Sequence, residues 1–270
     1  VFKAAGSLRE AVKNDASRIS SGKIRFFGHL DIKVDSPPLW SRDYQAGIDV
    51  PTDKASFKLD HRELPFGAAI KPLWEPSRWY GPVRLAQACW LDSNKKYGEL
   101  AIEWLEDWVE KNPPYFGWHW TSALESGMRL IAFTWIDALI TAFESEAVGV
   151  FGERLTKLRQ KILVPHVWFT WRHRSFGSSA NNHLLGELSG LAIAISRWPN
   201  LSKYGPTLER LSKIIEREIL IQFNPDGGNF EQGLNYHFYS WEFCWEARQA
   251  LNASGVLHGS RLGLINSRLV

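Results

Sequence analysis

The stretch SNKKYGELAIEWLEDWVEKNPP, residues 93–114, indicates a helix with one broad apolar face. Its apolar residues recur three and four positions apart, which is the spacing of a single helix face. The members of this face are Tyr97, Leu100, Ala101, Trp104, Leu105 and Trp108. Ser93 is a candidate N-cap, and Pro113-Pro114 cannot continue a helix. The stretch therefore predicts one amphipathic helix that ends at Asn112.

Comparable periodicity recurs along most of the chain. It predicts further helices over residues 8–19, 78–91, 121–143, 153–169, 182–197, 206–222, 232–252 and at the end of the chain, with a kink at Pro165. Helices of this length joined by short loops pack as antiparallel hairpins, which makes the fold class all-α. Curving hairpins would form an α/α toroid. An open stack would form a solenoid, which the lack of a sharp repeat disfavours.

The first 72 residues follow a different pattern after the initial helix. Short alternations of apolar and polar residues, together with Pro37-Pro38 and Pro51, indicate extended segments and loops. We therefore expect two parts in the chain. Residues 1–72 form an irregular N-terminal capping segment, and residues 73–270 form the helical domain on which it packs.

Composition excludes several classes of protein. Hydrophobic residues make up 44% and charged residues 23% of the chain, as in soluble globular proteins. A net charge of +3 with scattered basic residues argues against a nucleic-acid partner, and no apolar run is long enough to cross a bilayer.

The 14 tryptophans suit either core packing or stacking against sugar rings. Cys89 and Cys244 lie among apolar residues and are expected to be buried free thiols.

Three polar clusters interrupt the apolar pattern. They lie at residues 71–78, at residues 117–129, and in two parts at residues 178–187 and 224–237. Simple structural roles account for some members. Glu125 and Arg129 are spaced as a helix ion pair, one Asn caps a helix, and residues 225–228 form a turn. The other polar groups of the third cluster are costly to bury without partners, so we place the functional site there.

Together these clusters resemble the helical domain of the heparinase II/III superfamily. The resemblance rests on five short motifs in the family's order: Trp74-Glu75-Pro76-Ser77-Arg78, then Asn112-Pro113, then Trp118 with Trp120 and Glu125, then Asn181-Asn182-His183, then Asp226-Gly227-Gly228 through Glu231-Gln232 to Tyr236-His237. Each motif is weak alone, and the ordered set is fairly specific. The resemblance implies an incomplete α/α toroid from a polysaccharide lyase.

The resemblance further implies cleavage of a uronic-acid-containing polysaccharide by β-elimination. Such an enzyme neutralises the uronate carboxylate, removes the adjacent proton and protonates the leaving oxygen. The family's neutralising Asn matches Asn182, with His183 beside it, and its catalytic Tyr matches Tyr236. The residues expected to bind substrate are Trp74, Arg78, Trp118, His119, Trp120, Glu125, Glu231, Gln232 and His237.

A larger protein is also implied. In the family, a β-sandwich domain follows the toroid and completes the active site, whereas this chain ends at Val270 within an expected helix. The helical part alone is therefore expected to bind substrate weakly, and no cofactor is expected in it. The implied partner is an acidic polysaccharide such as a glycosaminoglycan or alginate. A periplasmic or secreted location is implied, although no leader precedes Val1.

Two other functions fit the same residues. A toroid glycoside hydrolase would need paired carboxylates. The candidates for this pair are Asp226, Glu231, Glu125 and Glu187. A non-catalytic carbohydrate-binding relative would keep the fold without the reaction. A metal site is not expected, because His119, His183 and His237 lack the close spacing of metal ligands.

Overall fold

The computed structural model describes residues 6–146 and 149–256, most of which are helical. The helices are α1 (Gly6–Ser20), α2 (Ile70–Trp74), α3 (Tyr80–Asp92), α4 (Lys95–Lys111), α5 (Ala123–Glu146), α6 (Gly152–Arg172), α7 (Asn182–Arg197), α8 (Leu208–Gln222) and α9 (Leu234–Ala253). The strands are β1 (Lys23–Phe26), β2 (Leu30–Lys33), β3 (Arg42–Asp43) and β4 (Ile48–Asp49). β1 pairs antiparallel with β2, and β3 pairs antiparallel with β4.

The predicted all-α fold class is confirmed. Each helix that the periodicity predicts within the described residues is present, and α7 has the predicted bounds, residues 182–197. The region between α1 and α2 holds only short strands and 3-10 turns, as its broken pattern indicates. α6 continues through Pro165. The helix expected at the end of the chain lies outside the described residues.

The prediction that Ser93 caps α4 is wrong. Ser93 instead ends α3 in a left-handed conformation, with a φ of 50°. Asn94 caps α4, because its side chain accepts a hydrogen bond from the backbone N–H of Lys96 at 3.1 Å. Only these two residues separate the helices, so one of them ends the first helix and the other starts the second.

The chain divides into two compact units. The first unit contains the residues up to Thr121 together with Ala132–Ile162, and the second contains Ser122–Ile131 together with the residues from Leu163 onward. α5 and α6 each have residues in both units. The predicted boundary after residue 72 falls inside the first unit, and the division into a capping segment and a helical domain stays a prediction.

Tryptophans build much of the core of the first unit, where α3 packs against α1 and α4. Trp79, Trp104 and Trp108 are almost completely buried. The rings of Trp79 and Trp108 meet edge to face at 5.0 Å, and Trp40 meets Trp104 in the same way at 6.4 Å. Aromatic pairs prefer this geometry. For these residues the abundance of tryptophan therefore reflects core packing.

The second unit is organised around α7, which packs against α8 and α9. Three glycines allow the close approaches. A Cβ on Gly190 would lie 2.8 Å from the Cα of Gly127, and one on Gly186 would lie 2.8 Å from the ring of Phe243. Close-packed interiors have no room for such atoms. The glycines thus seat α7 against α5 and α9 and fix the position of its N-terminal residues.

Within the part of the chain that the structure describes, one helical stretch has the length and apolar character of a bilayer-crossing helix. It comprises residues Ala123–Glu144, and an 18-residue window within it has a mean hydropathy of 1.2 and is 61% buried inside the fold. Core helices of globular proteins have the same properties. Asp137 and Arg129, both fully buried, lie within this stretch.

Candidate active site

Two of the polar motifs meet through hydrogen bonds between Asn182 and Glu231. The side-chain amide of Asn182 donates to both carboxylate oxygens of Glu231 at 2.9 Å, and its backbone N–H donates to one of them at 3.0 Å. Asn182 is buried, with 4% of its surface exposed. Hydrogen bonds to a charged acceptor are stronger than those to a neutral one. The carboxylate therefore holds the amide in one orientation.

Asn181 performs the capping role and leaves Asn182 for another one. The side-chain oxygen of Asn181 accepts a hydrogen bond from the backbone N–H of His183 at 3.1 Å, and this makes Asn181 the N-cap of α7. The side chain of His183 is exposed. The structural interpretation of the motif is therefore confirmed for one of its two asparagines, and Asn182 makes contacts that no cap requires.

A tight turn brings Glu231 to this position. Phe223 and Asn229 form an isolated antiparallel bridge, and the turn between them contains Gly227 with a φ of 88°. The carboxylate of Asp226 accepts from the N–H of Gly228 at 3.0 Å, which is the usual role of Asp in a turn. The predicted turn over residues 225–228 is present.

The first turn of α9 presents Tyr236 and His237. Tyr236 is half exposed, and its ring lies against Gly233, where an added Cβ would come within 2.9 Å of it. The Nδ1 of His237 accepts from the N–H of Asn229 at 3.3 Å. A neutral imidazole that accepts at Nδ1 carries its proton on Nε2. Gln232, just before the helix, has a φ of 57°.

A buried carboxyl, Glu187, lies further along α7. It accepts hydrogen bonds from the backbone N–H and the hydroxyl of Ser175 at 2.7 and 2.8 Å. Burial raises the pKa of Glu187 to about 7, although the bonds from Ser175 and the nearby charge of Arg174 act in the opposite direction. Glu187 thereby anchors the segment that connects α6 to α7.

Replacing Glu187 by Gln is expected to change the pH dependence of stability. A carboxyl whose pKa is raised by folding stabilises the protein fully below its unfolded pKa, and this contribution is lost as the pH rises through the folded pKa of about 7. The wild type should therefore lose about 2 kcal/mol of unfolding free energy between about pH 5 and 7 through this group. Urea unfolding across that range measures it. Parallel curves for wild type and variant would contradict the assignment.

Four of the residues expected to bind substrate are core residues of the first unit. Trp74, Trp118, His119 and Trp120 are between 1% and 8% exposed. The indole N–H of Trp74 donates to the carbonyl of Trp118 at 3.0 Å, and the Nε2 of His119 lies 2.7 Å from the carbonyl of Trp40. These bonds and this burial place the four rings in the core, and their contact with a substrate stays a prediction.

Arg78 is the more accessible member of the first-unit group. Its side chain is 19% exposed, and it forms an ion pair with the carboxylate of Glu75 at 3.1 Å. That carboxylate also accepts from the backbone N–H of Phe27 at 2.8 Å. Contact between Arg78 and a substrate stays a prediction.

Glu125 and Arg129 lie in the second unit and are both buried, at 1% and 0% exposed. The Nε of Arg129 donates to the Nε2 of His166 at 3.0 Å. Both residues are thus enclosed in the core rather than placed on an exposed helix face. His166, which comes from α6, was not found from sequence, because apolar periodicity gives no sign of which polar residue a buried arginine contacts.

The cysteines of the described chain are not suited to act as nucleophiles, and its polar side chains do not form a metal site. Cys89 and Cys244 are free and buried, as predicted. Burial raises the pKa of Cys89 to about 11 and that of Cys244 further still, so both stay protonated at neutral pH. Among residues 6–146 and 149–256, no three His, Cys, Asp or Glu side chains are grouped so that they would hold a metal ion.

The chain matches one protein family and resembles two solved structures. The model of the heparinase II/III N-terminus matches residues 74–259. A solved heparinase III is 16% identical and superposes with a TM-score of 0.65 over 96% of this chain and 40% of its own. A heparan sulfate lyase mutant from Pedobacter heparinus is 14% identical, with a TM-score of 0.60 over 96% of this chain and 37% of its own. No curated protein sequence matches the chain.

The two solved structures share their fold with this chain, which confirms the predicted class, an all-α domain of the α/α toroid kind. The chain spans about two fifths of the length of each. The family match covers more than two thirds of the chain and includes Asn182, Glu231 and Tyr236. The chain therefore belongs to the heparinase II/III family and represents its N-terminal helical domain.

Proposed function

We propose that this chain is the helical, substrate-binding part of a lyase that cleaves a uronic-acid-containing polysaccharide by β-elimination. The observation that carries the proposal is the bond between Asn182 and Glu231, because it joins two motifs that are 49 positions apart in sequence. The exposed phenol of Tyr236 follows Glu231 by five residues and lies in the same compact unit.

In the proposed reaction, the amide of Asn182 receives the uronate carboxylate. An uncharged donor suits this task because it stabilises the charge that develops on the carboxylate when the adjacent proton leaves. In this structure the side-chain amide and the backbone N–H of Asn182 donate to Glu231, so the uronate carboxylate is proposed to replace Glu231 as the acceptor of the amide.

Tyr236 is the proposed group that moves the proton. It removes the proton next to the carboxylate, protonates the leaving glycosidic oxygen, or does both in turn. Its half-exposed position at the start of α9 allows a substrate to reach it. His183 is proposed to act beside Asn182, while Gln232 and His237 flank Tyr236 and are proposed to bind the sugar.

The engagement of the carboxylates favours a lyase over a hydrolase. Glu187 is buried against Ser175, and Glu231 is bonded to Asn182. Asp226 accepts a bond within its own turn. A hydrolase needs two carboxyl groups that face the scissile bond from opposite sides. Each of these three accepts a protein hydrogen bond, and the fourth candidate, Glu125, is buried, so no two of the four are placed as a free pair.

The complete protein is proposed to contain a further domain that completes the active site. The heparinase III and heparan sulfate lyase chains are more than twice as long as the region that matches here.

We also propose export to the periplasm or the cell exterior, where large acidic polysaccharides such as glycosaminoglycans or alginate are encountered. The remaining alternative is a carbohydrate-binding relative that does not catalyse β-elimination. The experiment that tests the lyase also tests this alternative.

The test is an ultraviolet assay of the complete natural protein against heparan sulfate, hyaluronan and alginate, with reducing ends measured in parallel. β-Elimination creates a double bond conjugated to the uronate carboxylate, so absorbance and reducing ends are expected to rise together on one of these polymers. A rise in reducing ends without absorbance would identify a hydrolase. No change in either signal, with binding of the polymer retained, would identify a binding protein.

A further inference from the structure

A cluster of arginine and aromatic side chains lies at the end of α6, outside the candidate active site. We define the Arg174 cluster as Trp171, Arg174, Phe176 and Arg210. The guanidinium of Arg174 lies 3.8 Å from the ring centre of Trp171 and 4.7 Å from that of Phe176. The guanidinium of Arg210, from α8, lies 4.9 Å from the same Trp171 ring. One indole therefore holds two cations through cation–π contacts.

The two cations of this cluster lack a direct counter-ion among the described residues. Within residues 6–146 and 149–256, neither guanidinium has a carboxylate at ion-pair distance. By contrast, Arg78, Arg154 and Arg159 each pair with one. Partial burial and the charge of Arg210 lower the pKa of Arg174, while the charge of Glu187 acts in the opposite direction. The two like charges on one indole raise the local positive potential, which favours a bound anion.

The aromatic members of the cluster are accessible as well. Phe176 is 65% exposed, and Trp171 is only partly buried. The exposed ring of Phe176 next to a guanidinium suits an anionic sugar, because the ring packs against the apolar face of the pyranose while the guanidinium forms paired hydrogen bonds with a carboxylate or sulfate. The core tryptophans of the first unit, which are enclosed, lack this combination.

The cluster is connected directly to the candidate active site. Arg174 precedes Ser175, which Glu187 of α7 holds through two hydrogen bonds. Asn182 lies eight positions after Arg174, a separation of at most about 28 Å for a fully extended chain. Both residues belong to the second unit. A bound polysaccharide several sugars long would span this distance.

We propose that Trp171, Arg174 and Arg210 form a second subsite, which binds a carboxylated or sulfated sugar of the substrate away from the bond that is cleaved. This proposal rests on the proposed function, since it assumes an acidic polysaccharide. The subsite lengthens the recognised part of the polymer and adds affinity for long chains over short ones. It takes no part in the proton transfers.

The test measures calorimetric binding of disaccharides and octasaccharides prepared from heparan sulfate, hyaluronan and alginate. The double variant Arg174→Gln with Arg210→Gln is compared with the wild type and with Lys213→Gln, which removes an exposed charge one turn along α8 from Arg210. The double variant is expected to weaken octasaccharide binding about tenfold and to leave disaccharide binding unchanged. Lys213→Gln should change neither.

The outcomes separate this proposal from the proposed function. If the wild type binds an acidic octasaccharide and the double variant binds it equally well, the second subsite is wrong, while the proposed function stands. An equal loss in Lys213→Gln would show that only net charge matters and would also overturn the subsite. If the wild type binds no acidic oligosaccharide of the three polymers, the proposed substrate class fails together with the subsite. Unchanged circular dichroism establishes that the variants are folded.

Discussion

Replacing Tyr236 by Phe is expected to lower kcat/KM for β-elimination about a thousandfold in the complete natural protein. The variant removes one hydroxyl and leaves the ring, which packs where Gly233 has no side chain. Because Tyr236 is half exposed, its hydroxyl is not required for the core, and the unfolding free energy should be unchanged. Initial rates from the ultraviolet assay, with thermal unfolding in parallel, measure both quantities.

A matched control for this variant is Tyr204→Phe. Tyr204 lies in the same compact unit and is 47% exposed, against 50% for Tyr236, so both variants remove an accessible hydroxyl. Tyr204→Phe should keep the wild-type rate. A Tyr236→Phe variant with a rate within a few-fold of the wild type would remove Tyr236 from the reaction and leave proton transfer to His183 or His237.

Apolar periodicity was sufficient to predict the helices and their order. The stripe from Tyr97 to Trp108 and the bounds of α7 needed no tertiary information, because a helix buries one face whatever it packs against. The two motifs joined by Asn182 and Glu231 could be found from sequence for a related reason. Polar groups concentrated in an apolar pattern need partners, and here they supply partners to each other.

The sequence pattern did not predict which side chains of the polar clusters are exposed. Trp118, His119 and Trp120 lie in a polar-looking stretch of sequence, yet they are enclosed by the first unit. Their enclosure depends on segments far away in sequence, such as Trp40, whose carbonyl contacts His119. Composition shows that tryptophans are abundant, and only the tertiary structure shows which of their faces are free.

The partners of buried or clustered charged side chains could not be predicted from the sequence either. The sequence marks Glu187 as a candidate hydrolase carboxylate, whereas Ser175, which donates to it, lies in an irregular segment without periodicity. Arg174 and Arg210 are 36 positions apart, and each contacts the same ring, that of Trp171. Long-range pairs of this kind leave no pattern in a single sequence.

Replacing Asn182 by Asp is expected to destabilise the protein by about 3 kcal/mol at pH 8. The substitution keeps the shape of the side chain and changes a donor at 2.9 Å from Glu231 into a second carboxylate. Two carboxylates at this distance repel each other unless they share a proton. The stability should therefore recover as the pH is lowered toward 5, where one proton is bound between them. Urea unfolding at both pH values measures the effect.

The neighbouring variant Asn181→Asp separates this repulsion from a general effect of adding charge. Asn181 caps α7, where Asp is as good a cap as Asn, and a negative charge is favourable at a helix N-terminus. Asn181→Asp should therefore stay within about 0.5 kcal/mol of the wild type at both pH values. Equal destabilisation by the two substitutions would show that charge near the start of α7 is harmful in itself. Asn182 would then lose the special position that the bond to Glu231 assigns to it, and with it the basis for placing a substrate carboxylate at this amide.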